Sequence, residues 1–215
     1  MYEKYGQFTD GKWHKSSNGE TYEVINPANE EVLGQASKAS PEDVNKALLS
    51  AQKGLEVWRK TPPWQRAYIL RRIADKMREK QDILAKWMTL EVGKPFAEAK
   101  GEVNGAADIY EWNAEETKRI YGQTVESRFE DTRVHVYYQP VGVVAALVPW
   151  NFPLVLSARK ISTALAAGCS VIVKPDVITP GVVMEQVEIC RECGGPPGVV
   201  NLLSGDPAGI SEELI

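Results

Sequence analysis

The sequence is poor in cysteine and histidine, has no surplus of positive charge and holds no long apolar run. Each shortage closes off a class of function. Three cysteines, Cys169, Cys190 and Cys193, are an odd number and too sparse for a disulfide framework, so the expected compartment is the reducing cytoplasm. Two histidines, His14 and His135, have no ligand spacing, and Cys190-x-x-Cys193 has no second cysteine pair, so no metal site is expected. The 25 Lys+Arg against 29 Asp+Glu leave a net charge of −4, a deficit of the cations that binding to nucleic acid requires. The longest low-polarity stretch, residues 161–173, is interrupted by Ser162, Thr163 and Ser170 and falls short of the ~18 residues that cross a bilayer. Residues 1–7 lack the apolar core of a secretion signal. Neither a nucleic acid nor a membrane is therefore expected as a partner. A glycine-rich phosphate loop of the G-x-G-x-x-G or Walker type is missing as well.

What the sequence does have is enough apolar residue, 43% over 215 positions, to build a core. Phe8-Thr9-Asp10-Gly11-Lys12-Trp13 reads as strand and turn, and Thr21-Tyr22-Glu23-Val24-Ile25 as a strand stopped by Asn26-Pro27. Residues 32–36 are a weaker strand. Ser40-Pro41-Glu42-Asp43 starts a helix, with a capping hydroxyl, a first-turn proline and acids at the positive end of the dipole. Val44, Ala47, Leu48, Ala51 and Leu55 give that helix one apolar face, and Pro62-Pro63 breaks it. Further helices are expected over 64–80, 82–92 and 96–121. The basic residues Arg66, Arg71, Arg72, Lys76, Arg78 and Lys80 alternate with acids and read as a solvated helix face. Residues 124–129 and 133–137 form an expected hairpin turning at Glu130-Asp131.

From Gly142 the pattern changes. Apolar runs at 143–148, 171–173 and 199–203, each expected to be buried on both faces, alternate with helices from Pro153, Pro180 and Pro207. Strand–helix alternation with short links implies a parallel sheet. The chain is thus α/β and divides near residue 140. Ligands collect at the carboxyl ends of such strands, here at 148–153, 174–177 and 204–207. Asn151, stiffened between Pro149 and Pro153, has two readings. It is either a helix cap, which spacing alone favours, or a fixed amide donor to a developing oxyanion. Lys174, held extended by Pro175, either binds hydroxyls or phosphate over the sheet edge or is simply solvated. The Cys190-x-x-Cys193 pair falls at a helix end and reads as structural.

These blocks occur in a familiar order. Val148-Pro149-Trp150-Asn151-Phe152-Pro153, Ala164-Leu165-Ala166-Ala167-Gly168-Cys169, Lys174-Pro175 with Thr179-Pro180, and Gly195-Pro196-Pro197-Gly198-Val199-Val200-Asn201 with Ser204-Gly205 resemble the NAD(P)-dependent aldehyde dehydrogenase superfamily. Asp10-Gly11-Lys12-Trp13, Ile25-Asn26-Pro27 and Glu91-Val92-Gly93-Lys94-Pro95 extend the resemblance over essentially the whole chain, and the Gly168–Pro175 region is most similar to the succinate-semialdehyde branch. The resemblance implies a helix-rich part (1–122), an antiparallel oligomerisation hairpin (123–140) and the first half of a doubly wound, Rossmann-like sheet (141–215). It implies NAD or NADP as cofactor and a small aldehyde as substrate. Asn151 would help hold the oxyanion of a thiohemiacetal, with Lys160 a polar residue near the active site. Val148, Pro149, Trp150, Asn151, Lys174, Asp176 and Gly205 would line the cofactor, Lys174 bonding the adenosine ribose.

Departures from the pattern carry expectations of their own. The glutamate that often follows that lysine by three residues is Val177 here, which removes a carboxylate that would repel a 2′-phosphate, although Asp176 can partly substitute. No strong discrimination against NADP is expected. Arg159 replaces a tryptophan often found before the helix lysine, and Ser211 replaces a glycine that faces cofactor phosphates. The family's nucleophilic cysteine and general-base glutamate belong to motifs that these residues do not contain. The isolated chain is therefore expected to be inactive, with the missing C-terminal half as a partner or with self-association through the hairpin. The alternative is a non-catalytic fragment acting as a binding or assembly module. An uncovered sheet edge is also expected.

Overall fold

A computed structural model describes residues 2–215. The chain opens with β1 (Gln7–Thr9) and β2 (Lys12–His14), joined by Asp10 and Gly11 at φ 53° and 76°. Two consecutive positive φ values match the twist of a tight hairpin, and glycine takes the second without strain. A second hairpin, β3 (Thr21–Ile25) with β4 (Val32–Ser37), follows. Four helices come next: α1 (Pro41–Trp58), α2 (Pro63–Glu79), α3 (Gln81–Val92) and α4 (Phe96–Thr117). The expected capping box at α1 is formed, with Ser40 and Asp43 exchanging side-chain and backbone bonds. Helix α4 stops at Thr117, four residues short of the expectation, because the chain turns at Lys118–Tyr121 to deliver Gly122 against the backbone of Val136.

The exposed hairpin β5 (Gln123–Glu126) and β6 (Arg133–Val136) pairs in the expected register region, Val125 opposite Val134. Then β7 (Val143–Leu147), α5 (Pro153–Ala167), β8 (Ser170–Lys174), α6 (Pro180–Glu192), β9 (Val200–Leu202) and α7 (Pro207–Leu214) alternate as the apolar runs imply. The sheet order is β2-β1-β9-β8-β7, parallel across β7, β8 and β9 and antiparallel where β1 joins β9. Side chains alternate across it. Val171 and Val173 enter the core shared with α5 and α6, whereas Ile172 meets Val44, Ala47 and Ala51 of α1 and Ile210 of α7. Helices therefore cover both faces. The close approach of α1 depends on Gly54, where a Cβ would stand 2.1 Å from the carbonyl carbon of Gly198.

Two expectations need correction. Strands β8 and β9 are buried on both faces, but β7 is only partly so, with Ala146 alone fully buried, because it lies at the end of the sheet. The expected uncovered edge lies at β7, whose outer side pairs with no strand among the described residues, whereas the N-terminal hairpin covers the β9 edge and carries the sheet across the division at residue 140. Finally, the basic face of α2 is not simply solvated. Arg78 pairs with Asp108 and Glu111 of α4, Arg71 with Glu115, and Lys80 with Glu185 and Glu192 of α6, while Arg66 is buried and donates to the Thr61 carbonyl.

Candidate active site

The carboxyl ends of β7 and β8 stay paired one step further than the strands themselves, since the Val148 N–H donates to the Lys174 carbonyl at 2.9 Å. Past Val148, which is buried, Pro149, Trp150 and Asn151 turn outward and are exposed. Helix α5 then begins with Pro153, which has no N–H to satisfy. Its capping position is occupied by Phe152, which has no capping side chain. The free amides are instead met from another helix: Leu154 and Val155 donate to Glu102 Oε1 of α4 at 3.0 and 3.2 Å. The capping reading of Asn151 is thereby replaced. Its side-chain amide makes no hydrogen bond among the described residues and is free at the wall of a cavity of about 520 Å³.

That cavity is lined by Lys94, Glu98, Glu102, Phe152, Val155, Leu156 and Arg159 as well as Asn151. Its two cations differ. Lys94 is paired with Glu102 and largely buried, so its charge is already answered. Arg159 is exposed and makes no side-chain hydrogen bond or ion pair among the described residues. Arg159 follows Val155 and Leu156 by about one turn of α5 and lines the cavity with them. Lys160 is not brought to this wall; its ammonium donates to the Leu147 carbonyl at the end of β7.

On the other side of the strand ends, Lys174 is 5% exposed and its ammonium has no hydrogen-bond partner among the described residues. Burial lowers its pKa, partly offset by the nearby charges of Asp176 and Asp206. Its stem is enclosed, while the ammonium bonds no protein group among the described residues and keeps contact with solvent. Asp176 is half-buried and accepts the Ile178 N–H at 3.1 Å, while Val177 is half-buried beside it. Gly205 has φ 145°, and a Cβ there would lie 2.8 Å from the Ala39 nitrogen, so this glycine is required by the approach of the 38–39 backbone. Ser211 sits half-buried on α7.

No cysteine reaches either side. Cys169, Cys190 and Cys193 are free and buried, and burial pushes the Cys190 thiol up to about 12. Among the described residues no group of three or more His, Cys, Asp or Glu is arranged around a metal-sized site, and no helix is long and apolar enough to cross a membrane. A second hollow of about 550 Å³ between α2 and α6 is lined by Arg72, Lys76, Glu79, Lys80 and Glu192, far from the strand ends. Lys94 and Glu102 are the residues that the spacing arguments passed over. Lys94 stood out only as part of the Glu91-Val92-Gly93-Lys94-Pro95 block, and nothing local to Glu102 reveals that it caps a helix about fifty residues on.

The sequence profile described as "Aldehyde dehydrogenase family" matches residues 13–215. Succinate-semialdehyde dehydrogenase [NADP(+)] of Escherichia coli is 44% identical over 205 residues, covering 95% of this chain and 42% of that protein. Glutarate-semialdehyde dehydrogenase of Pseudomonas aeruginosa is 43% identical over 207 residues, covering 96% of this chain and 43% of that one. A crystal structure described as an E. coli NADP dependent enzyme superposes with a TM-score of 0.96 at 43% identity, over 97% of this chain and 44% of the other. The chain spans less than half the length of the relatives it matches.

Proposed function

Because this chain belongs to the aldehyde dehydrogenase family, we propose that its 215 residues supply the cofactor-facing wall and the oxyanion donor of an NAD(P)-dependent oxidation of aldehydes that carry a distal anionic group. The observation that carries the reading is the pairing of a free Asn151 amide with an unpaired Arg159 on one cavity wall. An N–H donor set beside the reacting carbonyl stabilises the charge that develops on its oxygen. A guanidinium on the same wall meets a carboxylate in a two-pronged bond, fixing the far end of the substrate. Succinate and glutarate semialdehydes, named for the relatives above, are molecules of that kind.

The residues on the cofactor side fit a dinucleotide. Lys174 offers an ammonium with no internal acceptor, which suits ribose hydroxyls or a phosphate, and Val177 brings no carboxylate to repel a 2′-phosphate. NAD or NADP supplies the hydride acceptor. Val148, Pro149 and Trp150 would flank it, and Asp176 would stand near the ribose. Lys160 would act at a distance, by tying α5 to the end of β7 behind Asn151.

The nucleophile and the general base would come from outside these residues, since all three cysteines are buried away from the cavity. The chain alone is then inactive toward aldehydes, and the hairpin β5–β6 is the surface for self-association. The test is a titration of the purified chain with glutarate and with butanal, followed by the resonances of Leu156 and Arg159. Saturable shifts with glutarate that vanish in Arg159→Leu are expected. Equal responses to the two compounds, or turnover of an aldehyde by the chain alone, would overturn the reading.

A further inference from the structure

We propose that Lys94, locked by Glu102, is a positioning residue for Asn151; this rests on the reading of Asn151 as the oxyanion donor. A donor of that kind is effective only when its direction is set before the reaction, and the Asn151 side chain makes no bond of its own that would set it. Its orientation must come through the backbone. The Lys94 ammonium donates to the Asn151 carbonyl at 3.3 Å and lies 3.9 Å from the centre of the Phe152 ring. Its charge is balanced by Glu102, whose other oxygen holds the amides of Leu154 and Val155. One ion pair therefore grips the chain at both ends of the turn between Asn151 and Val155.

A plain capping role explains less. The first turn of α5 would be capped more simply by Asn, Ser or Asp at position 152, with no pair of charges taken out of water. Here the Lys94 and Glu102 side chains are 10% and 2% exposed, so the desolvation is nearly complete. What this arrangement adds is that Asn151 is spared from capping and its carbonyl is tied down.

The experiment is nuclear magnetic resonance of the isotope-labelled 215-residue chain, with the Asn151 side-chain amide identified by its loss in Asn151→Ala. In Lys94→Met this signal is expected to shift or be lost to exchange while the Leu154 and Val155 amides stay in place, and Lys94→Arg is expected to restore it. An unchanged Asn151 signal in a folded Lys94→Met chain would overturn the proposal. Should Lys94→Met not fold, backbone relaxation of the unaltered chain decides: Asn151 and Phe152 as ordered as α5 supports the role, and looser order there overturns it. Neither cofactor nor aldehyde is in the sample, so a failure here leaves the dehydrogenase reading standing, and a failure of glutarate binding leaves this result standing.

Discussion

Glu91 of α3 caps α6 from a separate helix, accepting the Gly181 N–H at 2.7 Å in a space that admits no side chain at position 181. Its other oxygen takes the Val182 N–H, and Tyr2 donates to the same carboxylate. Burial pushes the Glu91 pKa from an ordinary 4.5 up to about 7, although these three donors pull it down. The native state thus keeps a proton that the unfolded chain has released. The stability from this group is complete below about 4.5 and is lost as the pH rises through about 7. Urea midpoints measured across that range should fall with pH for the unaltered chain. Glu91→Gln should flatten that slope and lower stability by about 1–3 kcal/mol, since one buried amide loses its acceptor.

Replacing Lys174 by methionine should act in opposite directions on the free and bound chain. Partial burial already disfavours the charged form of Lys174, so removing the charge relieves that cost and the melting temperature should rise slightly. A charged hydrogen bond to the ribose, worth about 1.5–3 kcal/mol, would be lost, so NADP affinity by calorimetry should drop roughly ten- to a hundredfold. Loss of stability with unchanged affinity would count against the cofactor role.

Val177 stands half-buried beside Asp176 at the strand end where the ribose would lie. Val177→Glu should therefore weaken NADP binding more than NAD binding, by about tenfold if the added charge interacts by ~1.4 kcal/mol with a 2′-phosphate. The unaltered chain should bind both cofactors without a large preference for NAD. Paired calorimetric titrations of the two nucleotides read the ratio directly.

Val125 and Val134 face one another across the β5–β6 hairpin and are 44% and 40% exposed. If the hairpin is where copies meet, Val134→Lys should shift the sedimentation profile to smaller species while leaving the melting temperature nearly unaltered. An unchanged profile would place self-association elsewhere.

Legibility in the sequence followed the range of the interaction. The start of α1 was readable because Ser40 and Asp43 satisfy each other within one turn. Strand β8 was readable because burial on both faces leaves an unbroken apolar run. Strand β7 is also an unbroken apolar run, yet its exposure is decided by its place at the end of the sheet, which no local pattern carries. In the candidate site, Asn151 and Lys174 were found because they leave strand ends. Their states were not, because Glu102 and the walls around Lys174 come from distant segments. The basic face of α2 misled for the same reason: its partners lie on α4 and α6.

The N-terminal hairpin that seals the β9 edge also sets an order of events. Gln7 bonds the backbone of Ser204, 197 positions later, and Phe8 pairs with Leu202. At synthesis rates of roughly 5–20 residues per second, β1 waits about ten to forty seconds for its partner strand to be made. Through that interval Phe8 has Trp13 beside it but not Leu202, whereas Tyr2 and Tyr5 can already meet Trp87. Strand β1 is thus secured only after β9 exists, and closure of the five-stranded sheet waits on a segment almost two hundred residues further along the chain.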